Sequence, residues 1–246
     1  MIDCIHVIGA SGRVGSAVSG RLRERGLRLA DSDPELVLLC VPDRAIADVA
    51  AGLAPGPWVG HVSGATPLTA LAPHVRRFSM HPLQTFTKAR GPEQLDGAWA
   101  AVTAETGDAL AIGLWLAETL GLTPFALPEA GRAVYHAGAA MASNYLVTLR
   151  QTAGALLEAA GAPPEALEPL MRRVIENGFE LTGPIARGDW ETVERHLDAI
   201  REHRPELEQL YLVLADATAA IAGQPLPDRL RGSEPQGVGS ATWSAK

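Results

Sequence analysis

The chain has 246 residues, 47% of them hydrophobic and 20% charged, with a formal net charge of −7. It is long enough to bury a sizeable core in one large or two small domains, and its composition is that of an ordinary globular protein. A net negative chain with no Lys or Arg cluster interleaved with aromatics argues against nucleic-acid binding. Its most apolar helix, near 108–120, is too short to span a bilayer, so no membrane role is expected.

The N-terminus enters a strand directly, with neither the basic nor the apolar region of a signal peptide, and a cytoplasmic setting is expected. Cys4 and Cys40 fall in apolar strands and read as small core residues, and no metal-ligand spacing of Cys or His occurs. A strand at 4–8 leads to a helix at 13–25, with Val14, Val18 and Leu22 at helical spacing. There follow a strand at 36–41, a helix at 44–53, a strand at 57–62 and a short helix at 67–72. Strands at 75–80 and 98–103, a helix at 107–120 and a strand at 122–127 complete the first half. Short apolar strands alternating with helices predict a mainly parallel sheet covered on both faces.

After Pro128 the pattern is helical throughout. A long helix is predicted over 129–160, then helices over 165–180, 189–203 and 205–222, with prolines at helix starts where a missing N–H does no harm. The expected division is an α/β domain over 1–127, an all-α domain over 128–223 and a flexible tail over 224–246.

Four stretches carry chemistry. GASGRVG places Gly9, Gly12 and Gly15 between a strand and a helix, the setting a pyrophosphate needs. Gly9 permits the turn, Gly12 lets phosphate approach the backbone, and Gly15 lets the helix pack closely. The free N–H groups and dipole of the helix start would hold the anion, with Ser11, Arg13 and Val14 in the same loop. The other strand ends converge on that edge, as ligands in such sheets require. They read Val41-Pro42-Asp43, Ser63-Gly64-Ala65 and His81-Pro82-Leu83-Gln84. His81 has an alternative role, hydrogen bonding to loop backbone.

In YHAGAAMASNYL, His136, Ser143 and Asn144 are spaced to lie near one helical face, among small residues that allow close approach. The alternative is a buried helix crossing whose polar groups satisfy one another. In LTGPIARGD, Thr182 and Arg187 suit an anionic substrate, or else clamp the loop, while Asp189 reads as the cap of the next helix.

Taken in order, GASGRVG, LVLLCVPD, HVSGA, SMHPLQTF, HAGAAMASNY and LTGPIARGD resemble Rossmann-like proteins of the 6-phosphogluconate dehydrogenase superfamily, over roughly residues 4–200. The nearest group joins a Rossmann-like half to a C-terminal helical half; ketopantoate reductase, pyrroline-5-carboxylate reductase and prephenate dehydrogenase are more distantly similar. The resemblance implies a Rossmann-like sheet, shortened after the first helix, followed by an all-α domain that dimerises. It implies an oxidoreductase using NADP or NAD to reduce a small carbonyl or imine, with a 2-oxo acid such as ketopantoate as the favoured substrate class. Cofactor would lie along Gly9–Gly15, Val41–Asp43 and Ser63–Gly64. Catalysis would fall to His136, Ser143, Asn144 and His81, and substrate binding to Gln84, Thr182 and Arg187.

Two departures qualify this. Related dehydrogenases often carry a catalytic lysine on the long helix, and here the only lysines are Lys88 and Lys246. His136 would then have to give the proton. Residues 26–35 are also too few for a full second strand and return helix, so the adenosine wall is cut down, although Asp31 falls near the ribose-binding position. The competing expectation is a non-catalytic dimer that has lost dinucleotide binding and holds a smaller phosphate-bearing ligand or a protein partner.

Overall fold

The computed structural model describes residues 2–230. Its sheet has seven strands in the order β2-β1-β3-β4-β5-β6-β7. β1 (Cys4–Ile8), β2 (Arg28–Leu29), β3 (Leu36–Leu39), β4 (Trp58–His61) and β5 (Arg77–Leu83) are parallel. β6 (Trp99–Ala104) runs antiparallel to β5, and β7 (Thr123–Ala126) runs parallel to β6. The reversal follows from the 84–98 link, which holds only a 3₁₀ turn at Pro92–Leu95 and no crossover helix.

The LVLL of β3 is buried on both sides because successive side chains alternate between faces. Leu36 and Leu38 join Phe78, Met80 and Val102 on one face, beneath α1 (Arg13–Glu24) and α3 (Gly107–Thr119). Val37 and Leu39 pack with Val59 and Leu71 on the other, beneath α2 (Ile46–Ala51).

The shortening expected after the first helix is present, with the second strand reduced to a stub. β2 pairs only Arg28 with Cys4 and Leu29 with Ile5, so β1 runs three residues further, roughly 10 Å at about 3.3 Å per residue. Residues 30–35 return directly to β3 with no helix between. The strand leading to Asp31 therefore stops well below the level of the glycine turn.

A 3₁₀ turn at Glu129–Gly131 opens α4 (Arg132–Ala140), which continues into a π-turn at Met141–Tyr145. The chain divides into two compact units between Asn144 and Tyr145, inside that turn and later than the expected 127/128 boundary. The second unit holds α5 (Leu146–Ala159), α6 (Leu167–Glu176), α7 (Trp190–His203) and α8 (Glu208–Ile221). Asp189 caps α7, accepting the Thr192 N–H at 3.2 Å, as its position predicts. Val193 and Leu197 of α7 and Ala219 of α8 bury Leu226 and Leu230. The start of the expected flexible tail is thus packed, and its part beyond residue 230 lies outside the described residues. No helix among the described residues is long and apolar enough to cross a membrane.

Candidate functional site

The glycine turn has the geometry its spacing predicts. Gly9 has φ +89°, and a Cβ there would fall 2.4 Å from the Cys40 carbonyl oxygen at the end of β3. A Cβ on Gly15 would fall 2.1 Å from the Gly9 carbonyl oxygen, so only glycine lets α1 start this close to the turn. Gly12 is the N-cap of α1 and contributes no side-chain cap, and the first helical turn carries no acid. Its orphan N–H groups and the exposed Arg13, Ser11 and Ala10 frame a seat suited to phosphate oxygens. The residues present thus fit the pyrophosphate of a dinucleotide, whereas the stub of β2 offers little wall for the adenosine end.

Along the same edge, Val41 and Pro42 lead into a 3₁₀ turn that begins at Asp43. Ser63 spends its hydroxyl on its own loop, accepting the N–H groups of Ala65 and Thr66 at 3.2 and 2.9 Å and donating to Thr66 Oγ1. Gly64 is where the histidines meet. A Cβ on it would lie 2.8 Å from His136 Cδ2 and 2.9 Å from His81 Cε1 and Nε2. The two imidazole centroids are 6.1 Å apart, and His81 Nδ1 is 2.8 Å from the Tyr135 hydroxyl. The structure thus brings together His81, His136 and Gly64 of the expected set.

Beneath them lies a buried polar row that sequence reasoning missed. His61, Ser79 and Thr103 are cross-strand neighbours on one face of β4, β5 and β6. Arg132 of α4 covers the row and is only 4% exposed. It donates to Ser79 Oγ at 3.1 Å and to the Ser63 carbonyl at 3.3 Å, and pairs with Glu129 at 3.1 Å. This clamp ties α4 to the ends of β4 and β5. Arg132, Tyr135 and His136 stand at i, i+3 and i+4, a spacing that could have revealed them as one face.

Burial and neighbouring positive charge set the protonation states. His81 is pushed down to about 4, chiefly by desolvation, then by His136 and Arg132, with Asp43 opposing. His61 is pushed down to about 3, again chiefly by desolvation, and is neutral; its Nδ1 accepts the Ser63 N–H at 3.2 Å. Burial raises the Tyr135 phenol to about 12. It also raises Cys40 to about 12, which leaves that thiol inert. Near neutral pH the cluster therefore offers a neutral imidazole and an intact phenol, both able to donate hydrogen bonds.

The remaining expected residues are placed differently. The π-turn widens the helix by about one residue per turn, so two turns above His136 the chain reaches Asn144 and not Ser143. Ser143 turns its hydroxyl back to the Ala139 carbonyl at 2.7 Å. Gln84 is held within its own loop, donating to the Gln94 carbonyl and accepting the Thr85 N–H. Thr182 and Arg187 lie in the second unit, both exposed, Arg187 closing the 3₁₀ turn Ile185–Arg187. A cavity of about 860 Å³ opens at the opposite edge of the sheet, around Ile2, Trp58 and Trp115, and touches none of these residues.

A mostly parallel sheet with a glycine turn after its first strand, polar strand ends beside it and a helical unit following is a Rossmann-like α/β architecture. Known proteins share it. Residues 98–218 match a family profile described as a domain of unknown function (DUF2520). No curated protein matches the chain. A Thermotoga maritima protein of known structure is 24% identical, with a TM-score of 0.73 over 89% of this chain and 98% of its own. A candidate NADP oxidoreductase of Bacteroides fragilis is 21% identical, with a TM-score of 0.72 over the same shares. The 1-pyrroline-5-carboxylate reductase of Streptococcus pyogenes is 17% identical, with a TM-score of 0.55 over 89% of this chain and 97% of its own. These likenesses establish the Rossmann-like fold.

Proposed function

We propose that the protein is an NAD(P)-dependent reductase of a small carbonyl or imine compound. One observation carries the reading: the glycine turn and the His81–Tyr135–His136 cluster stand at the same end of the parallel strands β1–β5. They are three strand spacings apart, roughly 14 Å at about 4.8 Å each. The reductase and oxidoreductase descriptions of the similar structures support it. When bound, the reduced nicotinamide would supply a hydride to the electrophilic carbon.

The chain's own residues do the rest. Gly9–Gly15 and the start of α1 hold the phosphates, and Ser63 and Gly64 leave room for the cofactor to approach the histidines. His81, neutral and bonded to Tyr135, orients the carbonyl oxygen or imine nitrogen through its N–H. His136 is partly exposed and delivers the proton, which it recovers from solvent. Asn144, two turns further along, extends this polar face.

The reading includes a homodimer through the helical half, supported by Leu170, Ile175 and Phe179, which are 61, 55 and 71% exposed on or just after α6. Two unpaired cysteines and a nicotinamide cofactor suit the cytoplasm.

NADPH and NADH titrations followed by nicotinamide fluorescence test the reading. Saturable binding of either, lost in Gly12→Asp, is expected; no binding at millimolar cofactor overturns it. The stub of β2 favours a second reading, a non-catalytic protein that holds a smaller phosphate-bearing ligand. It would show itself as binding of ADP or inorganic phosphate alone.

A further inference from the structure

The rings at the site belong to a longer series. His136 and His81 are 6.1 Å apart between centroids, His81 and Tyr135 5.6 Å, Tyr135 and Phe125 6.0 Å, and Phe125 and Trp99 6.2 Å. Strand register explains the line. His81, Ala101 and Phe125 are cross-strand neighbours on β5, β6 and β7, and Leu83, Trp99 and Thr123 form the next row on the same face. The second row lies at the carboxyl end of β5, the edge that carries the glycine turn. Leu83 is 40% exposed and Trp99 53% exposed.

His81 therefore divides this edge of the sheet. On one side, toward β1, lie the turns fitted to phosphate. On the other, toward β7, lies an aromatic and aliphatic strip with no phosphate-binding feature. The strand cation on the strip's face, Arg77, is held by both carboxylate oxygens of Glu105 at 2.9 Å. Arg132 is buried and committed to Glu129, Ser63 and Ser79. Neither cation is left to neutralise a substrate carboxylate. An aryl or alkyl group would cover exposed apolar area here at about 25 cal/mol per Å², whereas a small 2-oxo acid would set its carboxylate against that apolar face.

Building on the reductase reading, we propose that the Leu83–Trp99–Phe125 strip binds the apolar tail of the substrate. The substrate is then an uncharged aryl- or alkyl-substituted ketone or imine, its reacting group at His81 and His136. Trp99 and Phe125 are specificity-determining residues, and ring edges presented by the tilted Trp99–Phe125 pair, 56° between planes, suit an aryl group.

The test uses the full chain labelled with fluorotryptophan, the Trp99 resonance being assigned with Trp99→Phe. Benzylacetone is titrated against pyruvate, with and without NADPH. Benzylacetone should shift the Trp99 resonance saturably and pyruvate should not, and Phe125→Ala should weaken benzylacetone binding about tenfold without altering NADPH binding. A silent Trp99, or an equal response to pyruvate, overturns the proposal. So does a Trp99 shift that follows protein concentration and the sedimentation coefficient, which would make the strip a contact with a second copy. The two readings fail separately. Benzylacetone at Trp99 with no nicotinamide binding sinks the reductase and keeps the strip. NADPH-dependent turnover of oxo acids with Trp99 unmoved does the reverse.

Discussion

His81 Nδ1 and the Tyr135 hydroxyl are 2.8 Å apart, joining a strand end to the helix that crosses above it. With the phenol raised to about 12 and the imidazole lowered to about 4, neither group is charged near neutral pH. When Tyr135 donates to Nδ1, the other ring nitrogen must carry the N–H, facing Gly64 and the reacting group. Tyr135→Phe removes that choice of tautomer with little change in packing. It should lower kcat roughly ten- to a hundredfold with KM nearly unchanged. Nitrogen-15 shifts of the His81 ring should show mixed tautomers in the variant and one in the native protein.

Gly64 sets the spacing of the two histidines. Adding a methyl group there puts carbon 2.8 Å from one ring and 2.9 Å from the other, closer than van der Waals contact allows. Gly64→Ala should force the rings apart, costing about 1–3 kcal/mol of stability and more than tenfold in kcat. Urea unfolding separates the two effects: the variant still unfolds cooperatively, while its loss of rate exceeds any loss of folded fraction.

Arg132 is the charged keystone under this pair. Removing it leaves Glu129 without its partner and the Ser79 hydroxyl without a donor, while the Ser63 carbonyl keeps only the long 3.4 Å bond from Ser79. Arg132→Met should destabilise the protein by about 3 kcal/mol. It should also raise both His61 and His81, since Arg132 contributes to holding each of them down. Proton NMR titration of the histidines reads this second effect, which a purely structural role for Arg132 would not produce.

What the sequence shows and what it hides follow from range. The glycine turn is legible because its three constraints are local: Gly9, Gly12 and Gly15 each answer to backbone within the turn or to the next strand end. Strands such as LVLL announce themselves as short apolar runs, and helices such as RVGSAVSGRLRE by periodicity. The polar row does not, because His61, Ser79 and Thr103 become neighbours only through register across three strands. Tyr135 is hidden for a similar reason, as its meaning comes from a strand 54 residues away. Ser143 shows a different failure. Helical spacing placed it with His136, but a π-turn leaves no mark in the apolar pattern, and it brings Asn144 round instead. The shortness of β2 is legible because residues 26–35 hold too little chain for a full strand and return helix.

Acid stability should expose the two buried imidazoles. In the unfolded chain each titrates near 6.5, while in the fold His61 lies at about 3 and His81 at about 4. A lowered native value means that the unfolded state binds more protons between the two values, so stability rises with pH across that window. The contribution is complete above about pH 6.5 and is lost as pH falls toward 4 for His81 and 3 for His61. By pH 5 each should have withdrawn about 2 kcal/mol, before most carboxylates begin to protonate. Urea midpoints measured from pH 7.5 to 5 should fall accordingly. His61→Asn should remove roughly half of that slope, because an amide cannot titrate. If the midpoint is flat across the window in the native protein, the imidazoles are not held neutral by burial, and the neutral-donor role of His81 falls with that result.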